Sequence, residues 1–109
     1  MNRSQTLCVM LGMAGLLAAP ARAATHAWKG YISDSHCNAA GAKPGHVACA
    51  RACVRKGYAP VFVADGSHAV LAIANPRRVL PDLGWHVWIS GTVNAATHTL
   101  RVQRIRRLP

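Results

Sequence analysis

The last third of the chain alternates between apolar and polar residues, which restricts this part to β-structure. In the segment HVWISGTVN, Val87 and Ile89 fall on one side of the predicted strand and Trp88 falls on the other. The segment THTLRVQRI repeats the same period of two after a short turn. Because alternate side chains of a strand point to opposite faces, the two segments predict a hairpin with one buried face.

Two further β-regions precede this hairpin. ATHAWKGYIS predicts a first strand, and APVFVADG followed by HAVLAIAN predicts another hairpin with a turn at Asp65 and Gly66. Asn75 and Pro76 end that hairpin, and Pro81 excludes a central strand in the connection that follows. Five strands at this spacing predict a small antiparallel barrel, an architecture that removes exposed sheet edges.

One stretch between the first and second strands has a helical period instead. HVACARACVRKG places Val47, Ala50 and Val54 at helical spacing, and Gly57 follows as a C-cap. We therefore predict one short helix of about ten residues in an otherwise mainly β chain.

The first 23 residues have the three parts of a signal peptide. Arg3 supplies positive charge, an uncharged apolar run follows, and an Ala-Arg-Ala cleavage site ends at Ala23. The apolar run is about 13 residues long, well short of the roughly 20 that span a bilayer. We predict a cleaved signal peptide at residues 1–23, a single domain at residues 24–109 without a membrane span, and a periplasmic or secreted location.

The predicted mature chain is strongly basic. Of the 13 Lys and Arg residues, 11 lie in residues 24–109 together with all three acidic residues, which gives a formal charge of +8. In an exported protein, this charge favours an anionic envelope polysaccharide, or another envelope protein, over nucleic acid as a partner. Arg101, Arg104 and Arg106, with Trp88, are the candidate anionic-ligand patch, provided that the last strand lies at a sheet edge.

Several motifs resemble those of known bacterial domains. The ending LGWHVWISGTVNAATHTLRVQRI is similar to the last strands of bacterial OB-fold domains. GYISDSHC, HVACARACVRKG and PVFVADG resemble small exported bacterial proteins of uncharacterised function, which share a G-[YW]-I-S-D-x-x-C start, a C-x-x-x-C helix and a G-x-V-x-V-x-G end. The resemblance covers nearly all of the mature chain and implies an OB-like barrel. The predicted helix of this chain, however, falls between strands one and two, whereas the usual OB-fold has a helix between strands three and four.

Three cysteines, Cys37, Cys49 and Cys53, lie between the first strand and the end of the helix. In an oxidising compartment, disulfides are the default state of such thiols. Cys49 and Cys53 share one helix face and point in similar directions, which is poor geometry for a bridge between them. We therefore predict a disulfide from Cys37 to one of the two helical cysteines, which would contribute about 3 kcal/mol to stability.

The same segment supports a metal site as the alternative. His46, Cys49 and Cys53 are spaced i, i+3 and i+7 along one helix stripe, and Cys37 completes a Cys3His set suited to zinc or copper(I). His36 and Asp34 are further candidate ligands, although a local Asx turn is the expected role of Asp34. The disulfide and the full ligand set exclude each other.

Catalysis has the least support in this sequence. There is no C-x-x-C motif, and no G-x-S-x-G motif surrounds a serine. We predict a non-enzymatic, exported binding or envelope-associated module that is stapled by a disulfide from Cys37 and needs no cofactor. The alternative is a zinc- or copper-binding protein that uses Cys37, His46, Cys49 and Cys53.

Overall fold

The computed structural model describes residues 24–109, which contain five strands and one α-helix. The predicted signal peptide, residues 1–23, lies outside the described residues. The elements are β1 (His26–Asp34), α1 (Val47–Arg55), β2 (Pro60–Ala64), β3 (Val70–Ile73), β4 (His86–Asn94) and β5 (Thr99–Arg107). Within the described part of the chain, no helix is both long and apolar enough to cross a membrane.

The five strands form one sheet that closes on itself in the order β1-β2-β3-β5-β4. Every neighbouring pair is antiparallel except β3 and β5, which are parallel. A closed ring with an odd number of strands cannot alternate in direction all the way round, so one parallel pair is unavoidable. The prediction of a mainly β, five-stranded OB-like barrel with one short helix is confirmed, and this parallel pair is its one departure from a fully antiparallel sheet.

The helix α1 lies between β1 and β2, as the sequence predicts, and it buries Ala50 and Cys53. The connection between β3 and β4 forms two 3-10 turns, Pro76–Arg78 and Leu80–Asp82, instead of a helix. Each of these turns has a proline near its start, which suits a short turn and disfavours a strand.

The barrel interior is filled by alternate side chains of the strands, together with residues from α1 and the β3–β4 connection. Their burial supplies most of the favourable free energy of folding, at about 1.5–3 kcal/mol for each large apolar side chain. The core cluster comprises Ile32, Ala50, Phe62, Val79, Leu83, Val87, Ile89, Leu100 and Val102.

The last strand has a neighbouring strand on both sides only at its start, so the second half of β5, with Arg104 and Arg106, is paired with β4 alone. β5 pairs with β4 along its length and with β3 at Thr99 and Leu100. Beyond that point, Asn75 takes the place of a neighbouring strand. Its Nδ2 donates to the carbonyl of Val102 (2.8 Å), and its Oδ1 accepts from the N–H of Val102 (2.9 Å). Arg101, Arg104 and Arg106 are exposed on the outside of the barrel.

Candidate metal centre

Asp34 is the last residue of β1, and its side chain is fully buried. Its Oδ1 accepts hydrogen bonds from the backbone N–H groups of His36 (3.0 Å) and Cys37 (2.9 Å). This is the Asx turn that the sequence predicts, and it turns the chain sharply at the end of the strand. The turn holds Cys37 at the start of the 3-10 turn Asn38–Gly41, above the end of the barrel strand.

The second carboxylate oxygen of Asp34 is not used by this turn. Asp34 Oδ2 lies 3.5 Å from Nε2 of His46, which is also buried. In the described part of the chain, neither of these two buried atoms has a hydrogen-bond partner. Buried polar groups are normally paired, and an unpaired one costs about 1–3 kcal/mol. The two atoms are within ion-pairing distance but make no hydrogen bond to each other, so a cation between them would give each atom a partner.

The helix α1 brings two thiols to the same position. His46 is the residue immediately before the helix, and Cys49 and Cys53 follow one turn apart on it. Cys49 is exposed, Cys53 is buried, and Cys37 is partly buried on the facing turn. The thiols thus extend from the surface to the interior beside Asp34.

The ligand atoms form two overlapping groups. Cys37, His46 and Cys49 offer atoms that all lie within 4.8 Å of one another, and so do Asp34, Cys37 and Cys53. The four residues predicted from the sequence are therefore close together, but in two groups that share Cys37. Asp34, also a candidate ligand from the sequence, is the fifth member, whereas His36 belongs to neither group of the described residues.

Burial and neighbouring groups shift the pKa values of three residues of the site, Asp34, Cys37 and Cys53. Burial, and after it the charge of Asp34, raise the pKa of Cys53 to about 11. Burial, and then the charge of Asp34, also raise the pKa of Cys37. For Asp34, burial raises the pKa, but the N–H groups of Cys37 and His36 and the facing His46 and Cys53 together lower it below its ordinary value. The carboxylate of Asp34 therefore lies beside the protonated thiols of Cys37 and Cys53.

The three cysteines are free thiols in this structure. The sulfur of Cys37 lies within 4.8 Å of the sulfurs of both Cys49 and Cys53, so neither partner is favoured by distance alone. The disulfide from Cys37 stays a prediction, and the same closeness also suits shared coordination of a metal.

Comparison of the chain with protein-family models, with curated proteins and with solved structures finds no match. The resemblance to small exported bacterial proteins therefore stays a prediction, and the function is inferred from the site itself.

Proposed function

We propose that this protein binds a transition metal ion, zinc or copper(I), through Cys37, His46, Cys49 and Cys53, with Asp34 beside them. The observation that carries the proposal is the pair of buried, unpartnered atoms, Asp34 Oδ2 and His46 Nε2, next to the three thiols. A cation between these groups would give both atoms a partner.

The donor types define the class of metal. Thiolate and imidazole ligands suit zinc and copper(I), whereas calcium and magnesium take oxygen ligands. Because the thiols of Cys37 and Cys53 have raised pKa values, they must lose protons to bind, and metal uptake should release protons. Proton release on titration is therefore a second readout besides affinity.

The test is metal titration of the protein expressed from the full chain, reduced, stripped of metal and kept free of oxygen. Cys37→Ser should weaken binding of zinc or copper(I) by about 100-fold or more, because Cys37 belongs to both ligand groups. Asp34→Asn keeps an oxygen for the Asx turn but removes the charge, and it should weaken binding by about tenfold. Affinity is measured by competition with a chromogenic chelator.

His98→Asn is the matched control for these variants. His98 is exposed and has φ 52°, a conformation that asparagine accepts readily, so metal affinity should stay unchanged. The metal should also protect the thiols from alkylation, whereas the metal-free protein should react first at exposed Cys49 and last at buried Cys53. If the folded, reduced protein takes up neither metal, or if Cys37→Ser binds as tightly as His98→Asn, the proposal is wrong.

Gly41 supports the site by leaving room for His46. A Cβ atom at Gly41 would lie 2.6 Å from Nε2 and 2.9 Å from Cδ2 of the His46 ring, and 2.5 Å from Oγ of Ser33. We expect Gly41→Ala to displace the ring and to weaken metal binding by about tenfold, as loss of a supporting contact does in other metal sites. The measurement is the same chelator competition.

Ala40→Ser, at an exposed position of the same 3-10 turn, is the control for Gly41→Ala. It should bind metal as the parent protein does. Thermal unfolding of the metal-free variants separates a local displacement of His46 from a general loss of structure. If Gly41→Ala binds metal as tightly as the parent protein, His46 does not bind the metal from the position described here.

A further inference from the structure

A row of basic side chains covers the outer face of β4 and β5. The cross-strand pairs are Trp88 with Arg106, Ser90 with Arg104, and Thr92 with Arg101. Residues 88, 90 and 92 alternate along β4, so these three pairs stand on one face of the sheet. The three arginines are exposed. We call Trp88, Arg101, Arg104 and Arg106 the arginine face.

A β-bulge brings the three arginines together. In a regular strand, Arg101 and Arg104 would point to opposite faces, because they are three positions apart. The pairing register shifts between Ser90 and Gly91, so that Gly91 faces Val102 and Ser90 faces Arg104. Gln103 is thereby left over as the extra residue of the bulge. One inserted residue thus places Arg104 and Arg106 on the face of Arg101.

No carboxylate in the described chain neutralises this face. Asp34 is buried in the candidate metal centre. Asp65 contacts His86 (2.7 Å), and Asp82 accepts a hydrogen bond from Arg107 (2.8 Å). These three are all the acidic residues of the protein. The arginine face therefore presents positive charge that must be balanced by ions or by a partner from solution.

The composition of the face identifies the kind of partner. Its only aromatic side chain is Trp88, and the guanidinium of Arg106 already stacks over that ring at 5.0 Å from the centroid. Proteins that bind single-stranded nucleic acid stack successive bases on several aromatic side chains. The other positions of β4 on this side are Ser90 and Thr92, with small hydroxyl groups, and His86. The ring of His86 is already engaged, because it contacts Asp65 and stacks on Tyr31. The face therefore suits a chain of repeated anionic groups better than a row of bases.

We propose that the arginine face binds an acidic polysaccharide, whose sulfate or carboxylate groups pair with Arg101, Arg104 and Arg106. Guanidinium groups pair with such anions through two parallel hydrogen bonds, which a plain basic surface does not provide. This surface belongs to β4 and β5, whereas the candidate metal centre belongs to β1 and α1. The two proposals therefore succeed or fail separately.

The experiment compares two variants with the same net charge. One variant replaces Arg101, Arg104 and Arg106 by Gln. The other makes the same replacement at Arg51, Arg55 and Lys56, which are exposed on α1 and just after it. Binding to dextran sulfate is measured by fluorescence titration at several salt concentrations. The first variant should lose about tenfold or more in affinity, and the second should stay within about twofold of the parent protein.

Three outcomes would overturn the proposal. Equal losses in the two variants would mean that only net charge matters. Tighter binding of an oligothymidylate than of dextran sulfate, at the same salt concentration, would assign the face to nucleic acid instead. Unchanged affinity in the first variant, with its fold confirmed by circular dichroism, would show that the polysaccharide binds elsewhere.

Discussion

Phe62→Ala is expected to lower the free energy of unfolding by about 3–5 kcal/mol. Phe62 is the only phenylalanine of the protein, it is fully buried, and it stands in the middle of β2 opposite Ile32 of β1 and Leu71 of β3. Its removal would leave a cavity at the centre of the barrel, where closed strands allow little collapse. The free energy of unfolding of a native protein is only about 5–15 kcal/mol in total, so the variant should be close to unfolding.

Chemical denaturation of the reduced, metal-free protein, followed by tryptophan fluorescence, measures this loss. Phe62→Leu is the control, because it keeps most of the volume and should cost less than about 1.5 kcal/mol. If both variants unfold at the same denaturant concentration as the parent protein, Phe62 does not occupy the core position described here.

Gly84→Ala is expected to cost about 2–5 kcal/mol, because two independent penalties act at this position. Gly84 has φ +83°, which is unfavourable for a residue with a Cβ atom. Its Cβ would also overlap the Cα of Val47, at the start of α1. The N–H of Gly84 donates to the carbonyl of Ile32 (2.7 Å), so the backbone cannot move away without losing a bond to β1.

Gly45→Ala isolates the conformational part of this effect. Gly45 has nearly the same conformation, with φ +82°, but a Cβ atom there would meet nothing within 4 Å. It should therefore show only the conformational penalty of about 1–2 kcal/mol. The measurement is again denaturation of the reduced protein. Equal losses in Gly84→Ala and Gly45→Ala would mean that α1 does not pack against Gly84.

The strands and the helix were predictable because their signals are local. A period of two in the β4 and β5 segments, and a period near 3.6 around Ala50, reflect which side of each element is buried. The parallel contact of β3 with β5 was not read from these patterns, although it follows from the number of strands once the barrel closes. Closure of the barrel depends on all five strands together, so the pattern of one segment cannot predict it.

The candidate site was predicted in its residue types and only partly in its geometry. The spacing of His46, Cys49 and Cys53 follows from helical periodicity, so their common stripe was predictable. That Cys37 lies within reach of both helical thiols depends on the Asx turn and on how α1 packs against β1. The free Oδ2 of Asp34 depends on the same packing.

The amino-acid sequence by itself determined the mainly β character of this protein, its single helix, its basic charge and the thiol-rich segment before β2. These features depend on the order of residue types over a few neighbouring positions, because burial and backbone geometry determine which residue types suit each position. The tertiary structure decided which side chains meet across distant segments. It brings Asp34 Oδ2 to 3.5 Å from His46 Nε2 and, through one bulge at Gln103, sets three arginines on one face. Register and packing depend on contacts between segments far apart in the chain, so local pattern alone could not specify them.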